Sequence, residues 1–343
     1  MQVLVTALTF MMIFIGTLIV SSSNSLLMAW LGLELNTFAI LPLISKTKHP
    51  RSIEATTKYF ITQATASCLL LFSGTVNAWQ TGTWNISQPY NELSSMLMLI
   101  ALMIKAGAVP THFWLPEVMQ GTTIMTAMII ATWQKIAPTI LIFLLSNHAQ
   151  PYIAITLGLL STSFGGWGGM NQTQLRKMLA FSSIANMGWT MMTLTSDPKT
   201  SMFNIFIYIL MTIPTFLLMM LTSTKTLQNM AIMWTTSPTM SMMMTIILLS
   251  MAGLPPLTGF VPKLMILNEL VTQNLTTTAI ITTMTSLLTL VFYLRITYLT
   301  TLLNPPSSST STTKWRQKIN GTKMVIFSPT AMMTTPTLPT LIP

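Results

Sequence analysis

The sequence predicts an all-α, polytopic integral membrane protein with about eleven transmembrane helices, judged by the length a bilayer-spanning helix needs. Hydrophobic residues make up 51% of the 343 positions and charged residues only 6%, whereas about 25% of an ordinary soluble domain is charged. Apolar stretches of about 20 residues, enough to cross a hydrocarbon core as a helix, follow one another along the chain. They do not alternate apolar and polar residues, which argues against a β-barrel.

Each apolar stretch gives one expected span, and the fourth and ninth are long enough to contain a break. The stretch from Met1 to Val20 is too long and too apolar for a signal peptide, so we expect it to be the first span. Residues 223–236 are expected to form a short amphipathic interfacial helix, and residues 304–313 a Pro, Ser and Thr linker. The expected spans are 1–20, 25–45, 56–79, 94–119, 122–145, 150–170, 174–195, 199–222, 239–271, 275–301 and 322–341.

Basic residues test this span count independently, because Lys and Arg favour one side of a membrane. With alternate loops assigned to one side, twelve of the 16 basic residues fall on that side and Lys199 falls on the other. We interpret these loop charges as topology signals. The remaining three, Lys105, Lys135 and Lys263, lie within spans. The net charge of +10 does not indicate nucleic-acid binding, because the charges are not gathered with aromatic residues on one aqueous face.

The sequence offers no set of residues for a metal or a redox cofactor. Its one cysteine, Cys68, lies in an apolar stretch, so we expect neither a disulfide framework nor zinc or iron–sulfur ligation. The Gly-rich stretch 165–169 lacks the phosphate-binding pattern G-x-x-x-x-G-K-[ST], and close helix packing explains it better. Any redox chemistry is therefore expected to belong to partners.

Glu34 lies in the middle of the second span, where a charged side chain costs roughly 2.5–3.5 kcal/mol on insertion scales. An ionisable residue inside a membrane is a functional hypothesis by default, and a structural ion pair is the alternative. The same functional hypothesis, with the same structural alternative, applies to the three lysines within spans.

Two of these lysines adjoin Pro-interrupted helices. Lys105 precedes Pro110 and Pro116 in the fourth span, and Lys263 directly follows Pro262 in the ninth. Because proline removes a backbone donor and clashes with the preceding turn, both spans should be broken. We expect the first break to expose backbone carbonyls beside Lys105.

The two broken spans are the fourth and the ninth, so each would be the fourth helix in a unit of five. Two units with an odd number of spans must be inverted relative to each other, as in secondary transporters with sites on discontinuous helices. Chance placement of the prolines is the alternative. We therefore expect a single transmembrane domain over residues 1–343, with five-helix units at 1–145 and 150–301 and a linker and C-terminal helix at 302–343.

Buried lysines and a carboxylate suit proton transfer. Burial favours the neutral form of a lysine and a nearby carboxylate favours the charged form, so movement of either group switches the lysine between them. Two unit charges ~4 Å apart interact by about 4 kcal/mol at an effective dielectric of 20. This energy suffices to switch a lysine between its protonated and neutral forms. Lys135, before Pro138 in the fifth span, is a further candidate station. His112 is a candidate relay, since imidazole titrates near neutral pH, and a packed structural histidine is the alternative.

Six segments carry a family resemblance: residues 30–34, 64–67, 105–117, 133–138, 171–177 and 253–263. In order along nearly the whole chain, they closely resemble the mitochondrial NADH-ubiquinone oxidoreductase chain 2 family. The resemblance implies an antiporter-like core membrane subunit of respiratory complex I, with many passes through the mitochondrial inner membrane.

The resemblance also implies that Glu34, Lys105, Lys135 and Lys263 are proton-channel residues, coupled to NADH:ubiquinone electron transfer in other subunits. No cofactor is expected in this chain, and NAD, FMN, iron–sulfur clusters and ubiquinone are expected in partner subunits. The expected partners are other complex I subunits, including neighbouring antiporter-like ones, and membrane lipids. An independent cation/proton antiporter and a structural membrane scaffold are the alternative functions.

Two positions depart from the pattern of that family. Asn186 stands where many relatives have His, and Thr111 stands where Phe is usual before His112. Asn does not titrate at physiological pH, which places any essential protonation at that position in doubt. Water-mediated transfer past Asn186 is the alternative.

Overall fold

The computed structural model describes residues 2–86 and 92–301. Within these residues the chain is helical throughout, apart from its loops and two isolated antiparallel bridges. The all-α prediction is therefore confirmed. The expected span at 322–341 and the expected linker at 304–313 lie outside the described residues.

Fourteen α-helices occupy the described residues, in the order of the predicted spans. A short 3₁₀ turn, Ser146–His148, precedes α8. The helices are α1 Gln2–Ser22, α2 Leu26–Ser45, α3 Pro50–Thr81, α4 Glu92–Ala106, α5 Trp114–Gly121, α6 Ile124–Ala131, α7 Trp133–Leu144, α8 Pro151–Met170, α9 Leu175–Met192, α10 Pro198–Thr222, α11 Leu227–Thr236, α12 Pro238–Ala252, α13 Phe260–Thr272 and α14 Thr276–Thr300.

Six segments of the described chain are long and apolar enough to cross a membrane, and they coincide with the first, second, third, fifth, eighth and tenth predicted spans. The fourth predicted span is divided into α4 and α5, and the ninth into α12 and α13. The sixth and seventh coincide with α8 and α9. The multi-pass helical fold is confirmed, whereas the number of spans stays a prediction. The six segments are Val5–Ser22, Leu26–Ser45, Pro50–Thr81, Ile124–Leu144, Pro198–Thr222 and Thr276–Thr300.

Both predicted helix breaks are observed. Residues 107–113 separate α4 from α5, and residues 253–259 separate α12 from α13. The first residue of each break is a left-handed glycine, Gly107 with φ of 77° and Gly253 with φ of 84°. Glycine adopts this conformation without the steric penalty of a Cβ atom and commonly ends a helix.

The expectation that the first break exposes carbonyls beside Lys105 is wrong for two of them. The backbone N–H groups of Gly107 and Ala108 donate to the carbonyls of Ile104 and Met103, at 3.1 and 2.9 Å. The left-handed Gly107 turns these donors back onto the end of α4, as in a Schellman motif.

A third interruption, which the sequence did not predict, separates α6 from α7 at Thr132 (φ −114°, ψ −73°). The Thr132 hydroxyl donates to the carbonyl of Met128 at 2.7 Å, a side-chain bond that often bends helices. Pro138 lacks the N–H that would bond the carbonyl of Gln134. Lys135 therefore lies in the first turn of a restarted helix.

α3 begins earlier than predicted because the preceding residues cap it. The His49 ring accepts a hydrogen bond from the N–H of Arg51, and the Ser52 hydroxyl accepts one from the N–H of His49. Pro50 occupies the first helical position, where its missing N–H is not needed. Lys58, one of the twelve basic residues assigned to one side of the membrane, therefore lies well inside α3 and not near its start.

The chain divides into two compact units, one comprising residues 1–161 with 191–198 and the other residues 162–190 with those from 199 onward. In the first unit α2 packs on α1 and α3, α3 on α4 and α5, and α7 on α1, α2 and α4. In the second unit α14 packs on α11, α12 and α13. The five-helix units at 1–145 and 150–301 stay a prediction.

Each unit contains one of the antiparallel bridges, and each bridge joins the two loops that flank a helix pair. Ser25 pairs with Asn85 around α2 and α3, and Gln174 pairs with Thr226 around α9 and α10. The first residues of the two bridges are 149 positions apart, from 25 to 174. This recurrence supports the predicted repeat.

A close helix contact recurs at the same interval, at Gly16 on α1 and at Gly165 on α8. A Cβ atom on Gly16 would lie 2.9 Å from the carbonyl oxygen of Gly32 on α2. A Cβ atom on Gly165 would lie 2.6 Å from the backbone nitrogen of Ala185 on α9. Small residues of this kind let membrane helices approach closely, so the packing explanation of the Gly-rich stretch fits the observed contacts.

Candidate functional site

The first unit holds a buried ion pair between α2 and α4. Lys105 Nζ lies 3.0 Å from Glu34 Oε1, and the two side chains are 2% and 16% exposed. The Thr37 hydroxyl lies 3.2 Å from Glu34 Oε2. Lys105 stands in the last turn of α4, where the negative end of the helix dipole favours a cation. The geometry thus offers the ammonium group two sources of negative potential.

A small cavity of about 10 Å³ lies beside this ion pair, close to the room that one water molecule needs. Lys105 and Lys135 both line it, so the structure brings two of the predicted lysine stations to one space. Lys135 is 2% exposed. The remaining polar side chains around the cavity are those of Asn36, Thr37, Tyr59, Gln63, Trp114 and Gln134.

Within the part of the chain that the structure describes, two of these polar side chains carry buried atoms without a hydrogen-bond partner. They are both side-chain atoms of Asn36, which is 2% exposed, and Trp114 Nε1. Gln134 approaches the backbone carbonyl of Asn36, with Nε2 at 3.5 Å. Buried polar groups of this kind are typically satisfied by ordered water, so the surroundings of the cavity suit water.

Asn36, Gln63 and Gln134 were not among the predicted site residues. Each lies inside an apolar stretch, where an amide side chain carries a desolvation cost unless it is hydrogen-bonded. That cost was a usable signal, because it applies to neutral polar groups as well as to the charged groups that the prediction relied on.

His112 lies in the break between α4 and α5 and is 4% exposed. Its ring stands 4.2 Å, centroid to centroid, from that of Phe113. The described residues that line the lysine cavity do not include it. The relay role stays a prediction, and the packed position agrees with the structural alternative.

A cluster of charges connects α3 to α5 at the surface. Lys58 Nζ contacts carboxylate oxygens of both Glu54 and Glu117. On the same two helices the Tyr59 and Trp114 rings meet edge to face, with centroids 5.6 Å apart. Lys58 therefore has a structural role besides its topology role, because it joins α3 to α5, the helix that begins with Trp114.

In the second unit, Lys263 stands at the second helix break. Its ammonium group donates to the carbonyl of Ala252, the last residue of α12, at 2.9 Å. Nζ also lies over the Trp189 ring, 6.0 Å from the ring centroid, which is the limit of a cation–π contact. The break thus exposes a carbonyl at the negative end of the α12 dipole. The Lys263 ammonium group donates its hydrogen bond to this carbonyl.

A cavity of about 20 Å³ adjoins Lys263, and its polar lining includes Asn186, Asn204 and Tyr208. The Asn186 amide donates to the carbonyl of Ser182 at 3.0 Å, and the Asn204 amide approaches the carbonyl of Asn186 at 3.4 Å. Asn186, the departure noted in the sequence, therefore lies in the space that Lys263 faces, as a non-titrating amide.

Residues 23–289 match the family model described as NADH:quinone oxidoreductase/Mrp antiporter, TM. The chain belongs to this family. The matched residues contain both helix breaks and all of Glu34, Lys105, Lys135 and Lys263. The NADH:quinone oxidoreductase/Mrp antiporter membership therefore applies to the region that holds the candidate site.

Relatives at high identity cover most of the chain. NADH-ubiquinone oxidoreductase chain 2 of Varanus timorensis is 49% identical over 313 residues, which are 91% of this chain and 91% of the relative. NADH-ubiquinone oxidoreductase chain 2 of Salmo salar is 47% identical over 302 residues, 88% of this chain and 86% of the relative. The resemblance to the chain 2 family is confirmed.

Solved structures of the family share the fold. A chain of respiratory complex I from Thermus thermophilus superposes with a TM-score of 0.86 at 23% identity, over 98% of this chain and 79% of that chain. A chain of the Mrp complex from Dietzia sp. DQ12-45-1b superposes with a TM-score of 0.80 at 19% identity, over 88% of this chain and 62% of that chain. The antiporter-like helical fold is confirmed.

Proposed function

We propose that the chain is the chain 2 membrane subunit of respiratory complex I and moves protons across the mitochondrial inner membrane. Electron transfer from NADH to ubiquinone takes place in other subunits and drives this movement. The proton stations are Glu34, Lys105, Lys135 and Lys263. The observation that carries the proposal is the buried Lys105–Glu34 ion pair beside a cavity that Lys135 also lines.

In the paired state the Glu34 carboxylate holds a proton on Lys105. Doubling the separation would halve the attraction, which is about 4 kcal/mol for unit charges ~4 Å apart at an effective dielectric of 20. Lys105 would then release its proton into the cavity, and Lys135 Nζ would receive it through water. The pair acts as a switch because only its geometry has to change.

Lys263 has a different partner, since the Ala252 carbonyl and the Trp189 ring face its ammonium group. A carbonyl stabilises a proton on the lysine but cannot take it up. The proton on Lys263 must therefore leave by the adjoining cavity, which Asn186 and Tyr208 line.

We assign NAD, FMN, iron–sulfur clusters and ubiquinone to partner subunits. Among the described residues, no group of three or more His, Cys, Asp or Glu side chains could hold a metal ion. Other complex I subunits, including antiporter-like ones, and lipids are the proposed neighbours of the exposed apolar side chains of α14, such as Ile280, Met284, Leu287 and Val291.

The test replaces one station at a time by methionine in the assembled complex: Lys105→Met, Lys135→Met and Lys263→Met. The protons translocated per NADH oxidised are measured in closed vesicles, with Lys46→Met at the exposed end of α2 as the matched control. We expect a lower ratio in the three station variants and an unchanged ratio in the control. Unchanged ratios in all three would favour a structural scaffold.

An independent cation/proton antiporter is the second candidate function, because a chain of an Mrp complex shares the fold. The purified chain in liposomes, without other subunits, distinguishes the two. Cation/proton exchange by the chain alone would overturn the subunit proposal.

A further inference from the structure

The thioether group of Met211 contacts both ends of the second helix break. Met211 lies on α10, is 2% exposed and lines the Lys263 cavity. The Thr258 hydroxyl, inside the break, donates to Met211 Sδ at 3.6 Å. The Ser250 hydroxyl, in the last turn of α12, lies 3.4 Å from the same sulfur. One side chain of a third helix thus joins the end of α12 to the segment that leads into α13.

The hydrogen bond of Thr258 differs from those of Thr156 and Thr212, which donate to a carbonyl in the preceding turn of their own helix. Thr258 is 2% exposed and donates instead to a side chain 47 positions away. The Ser250 hydroxyl also reaches the Ile247 carbonyl, at 2.6 Å, so it does not depend on the sulfur. A buried hydroxyl that loses its partner carries a desolvation cost, so the Thr258 bond favours the observed position of the break against α10.

Two further contacts join the ends of the break at the same place. A Cβ atom on Gly259 would clash with the carbonyl oxygen of Ser250, so the chain just before α13 lies directly against the last turn of α12. Lys263, in the first turn of α13, donates to the carbonyl of Ala252, the last residue of α12, at 2.9 Å. The bond of Lys263 therefore depends on the spacing of the two helix ends.

We propose that Met211 is a positioning residue for Lys263, and that its sulfur holds the ends of the break at the spacing at which the ammonium group reaches the Ala252 carbonyl. The inference rests on the proposed role of Lys263 as a proton station. A backbone carbonyl cannot turn toward a lysine as a side-chain carboxylate can, so the path of the backbone decides whether the bond forms. Lys105 differs in this respect, because its partner is the Glu34 side chain.

A sulfur acceptor suits a contact that opens and closes. The sulfur of methionine accepts only weak hydrogen bonds, and its side chain turns about three bonds. The ends of the break can therefore separate at a small cost, and Lys263 then loses the Ala252 carbonyl. The proton leaves the ammonium group for water in the adjoining cavity of about 20 Å³, which has room for one water molecule. Met211 itself neither takes up nor releases a proton.

The test compares variants of the assembled complex by the protons translocated per NADH oxidised. Met211→Leu removes the acceptor and keeps an apolar side chain of similar size, whereas Met211→Gln keeps an acceptor. The matched control is Met219→Leu, since Met219 is a fully buried methionine of the same helix that does not line the cavity in the described chain. We expect Met211→Leu to lower the ratio toward that of Lys263→Met, and Met211→Gln and Met219→Leu to stay near the wild type. Equal ratios in the two leucine variants, or a glutamine variant as low as Met211→Leu, would overturn the inference.

Thr258→Val tests the other side of the contact, because it removes the hydroxyl and keeps the shape of the side chain. We expect its ratio to match that of Met211→Leu. The double variant should fall no further than either single variant, since both changes break the same hydrogen bond and their effects are coupled. Losses that add up in the double variant would contradict the proposed contact.

A density map of the complex with Thr258→Val, at a resolution that shows side chains, gives a readout that does not depend on activity. We expect Lys263 Nζ to lie beyond hydrogen-bond distance of the Ala252 carbonyl oxygen in the variant and within it in the wild type. An unchanged bond in the variant would sink the inference, even if Met211→Leu failed to assemble. Unchanged pumping in Lys263→Met would instead overturn the station role of Lys263, and the map would still decide whether Thr258 and Met211 set the bond across the break.

Discussion

Glu34 on α2 and Lys105 on α4 form an ion pair with 3.0 Å between Oε1 and Nζ, although 71 residues separate them in the sequence. Loss of one partner from a buried pair typically costs 3–5 kcal/mol, since it strands the other charge. Loss of both partners is far better tolerated. The pair therefore contributes both to the stability of the first unit and to the proposed proton transfer. Single and double mutations can separate these two contributions.

Glu34→Gln should lower both the proton-to-electron ratio and the yield of assembled complex, because Lys105 loses its counter-charge. The double variant Glu34→Gln with Lys105→Met should recover yield but not pumping. Glu92→Gln is the control, since Glu92 contacts Gln150 at an exposed position. Recovery of pumping in the double variant would contradict the station roles of both residues.

Gly253→Ala should displace the Lys263 ammonium group from the Ala252 carbonyl. The residue has φ of 84°, which costs a non-glycine roughly 1–2 kcal/mol, and the added Cβ atom would lie 2.8 Å from Lys263 Nζ. Gly82→Ala is a matched control, since Gly82 has φ of 70° and none of the described residues lies within 4 Å of the added atom. Pumping should fall only in the Gly253 variant, as measured by the proton-to-electron ratio. Equal effects of the two variants would show that backbone strain alone is responsible.

Gly16→Ala should weaken the contact between α1 and α2. Its Cβ atom would clash with Asn36 Oδ1 and lie 2.9 Å from the Gly32 carbonyl oxygen, so a helix must shift. Overpacking of this kind costs about 1–3 kcal/mol. The fraction of assembled complex that survives heating should fall, while Met12→Ala at an exposed position of α1 should behave as the wild type. Equal heat resistance of the two variants would contradict the close contact.

The helix breaks were predictable because their causes are local. Proline and glycine act on the turn in which they stand, so Gly107 with Pro110, and Gly253 with Pro255, are sufficient to place the breaks. The interruption at Thr132 has a local cause too, but a threonine hydroxyl gives a weaker signal than proline, since Thr156 and Thr212 also bond the preceding turn and do not break their helices.

The partners of the predicted site residues were not predictable from the sequence. Glu34 and the lysines could be selected by their cost inside a membrane, but nothing in the spacing shows that Glu34 contacts Lys105 rather than Lys135. Such contacts depend on which faces of α2, α4 and α7 meet, and mixed apolar stretches leave those faces undefined.

His112→Gln tests the remaining predicted site residue, because glutamine keeps a hydrogen-bonding side chain that does not titrate near neutral pH. His112 packs on Phe113 and does not line the lysine cavity in the described chain. We therefore expect an unchanged proton-to-electron ratio across pH 5–8, roughly the range in which histidine titrates, with some loss of heat resistance. His112→Ala, which removes both packing and polarity, should lose more heat resistance and still pump at the wild-type ratio. A fall in the ratio in His112→Gln would instead assign the relay role to His112, since packing is largely kept in that variant.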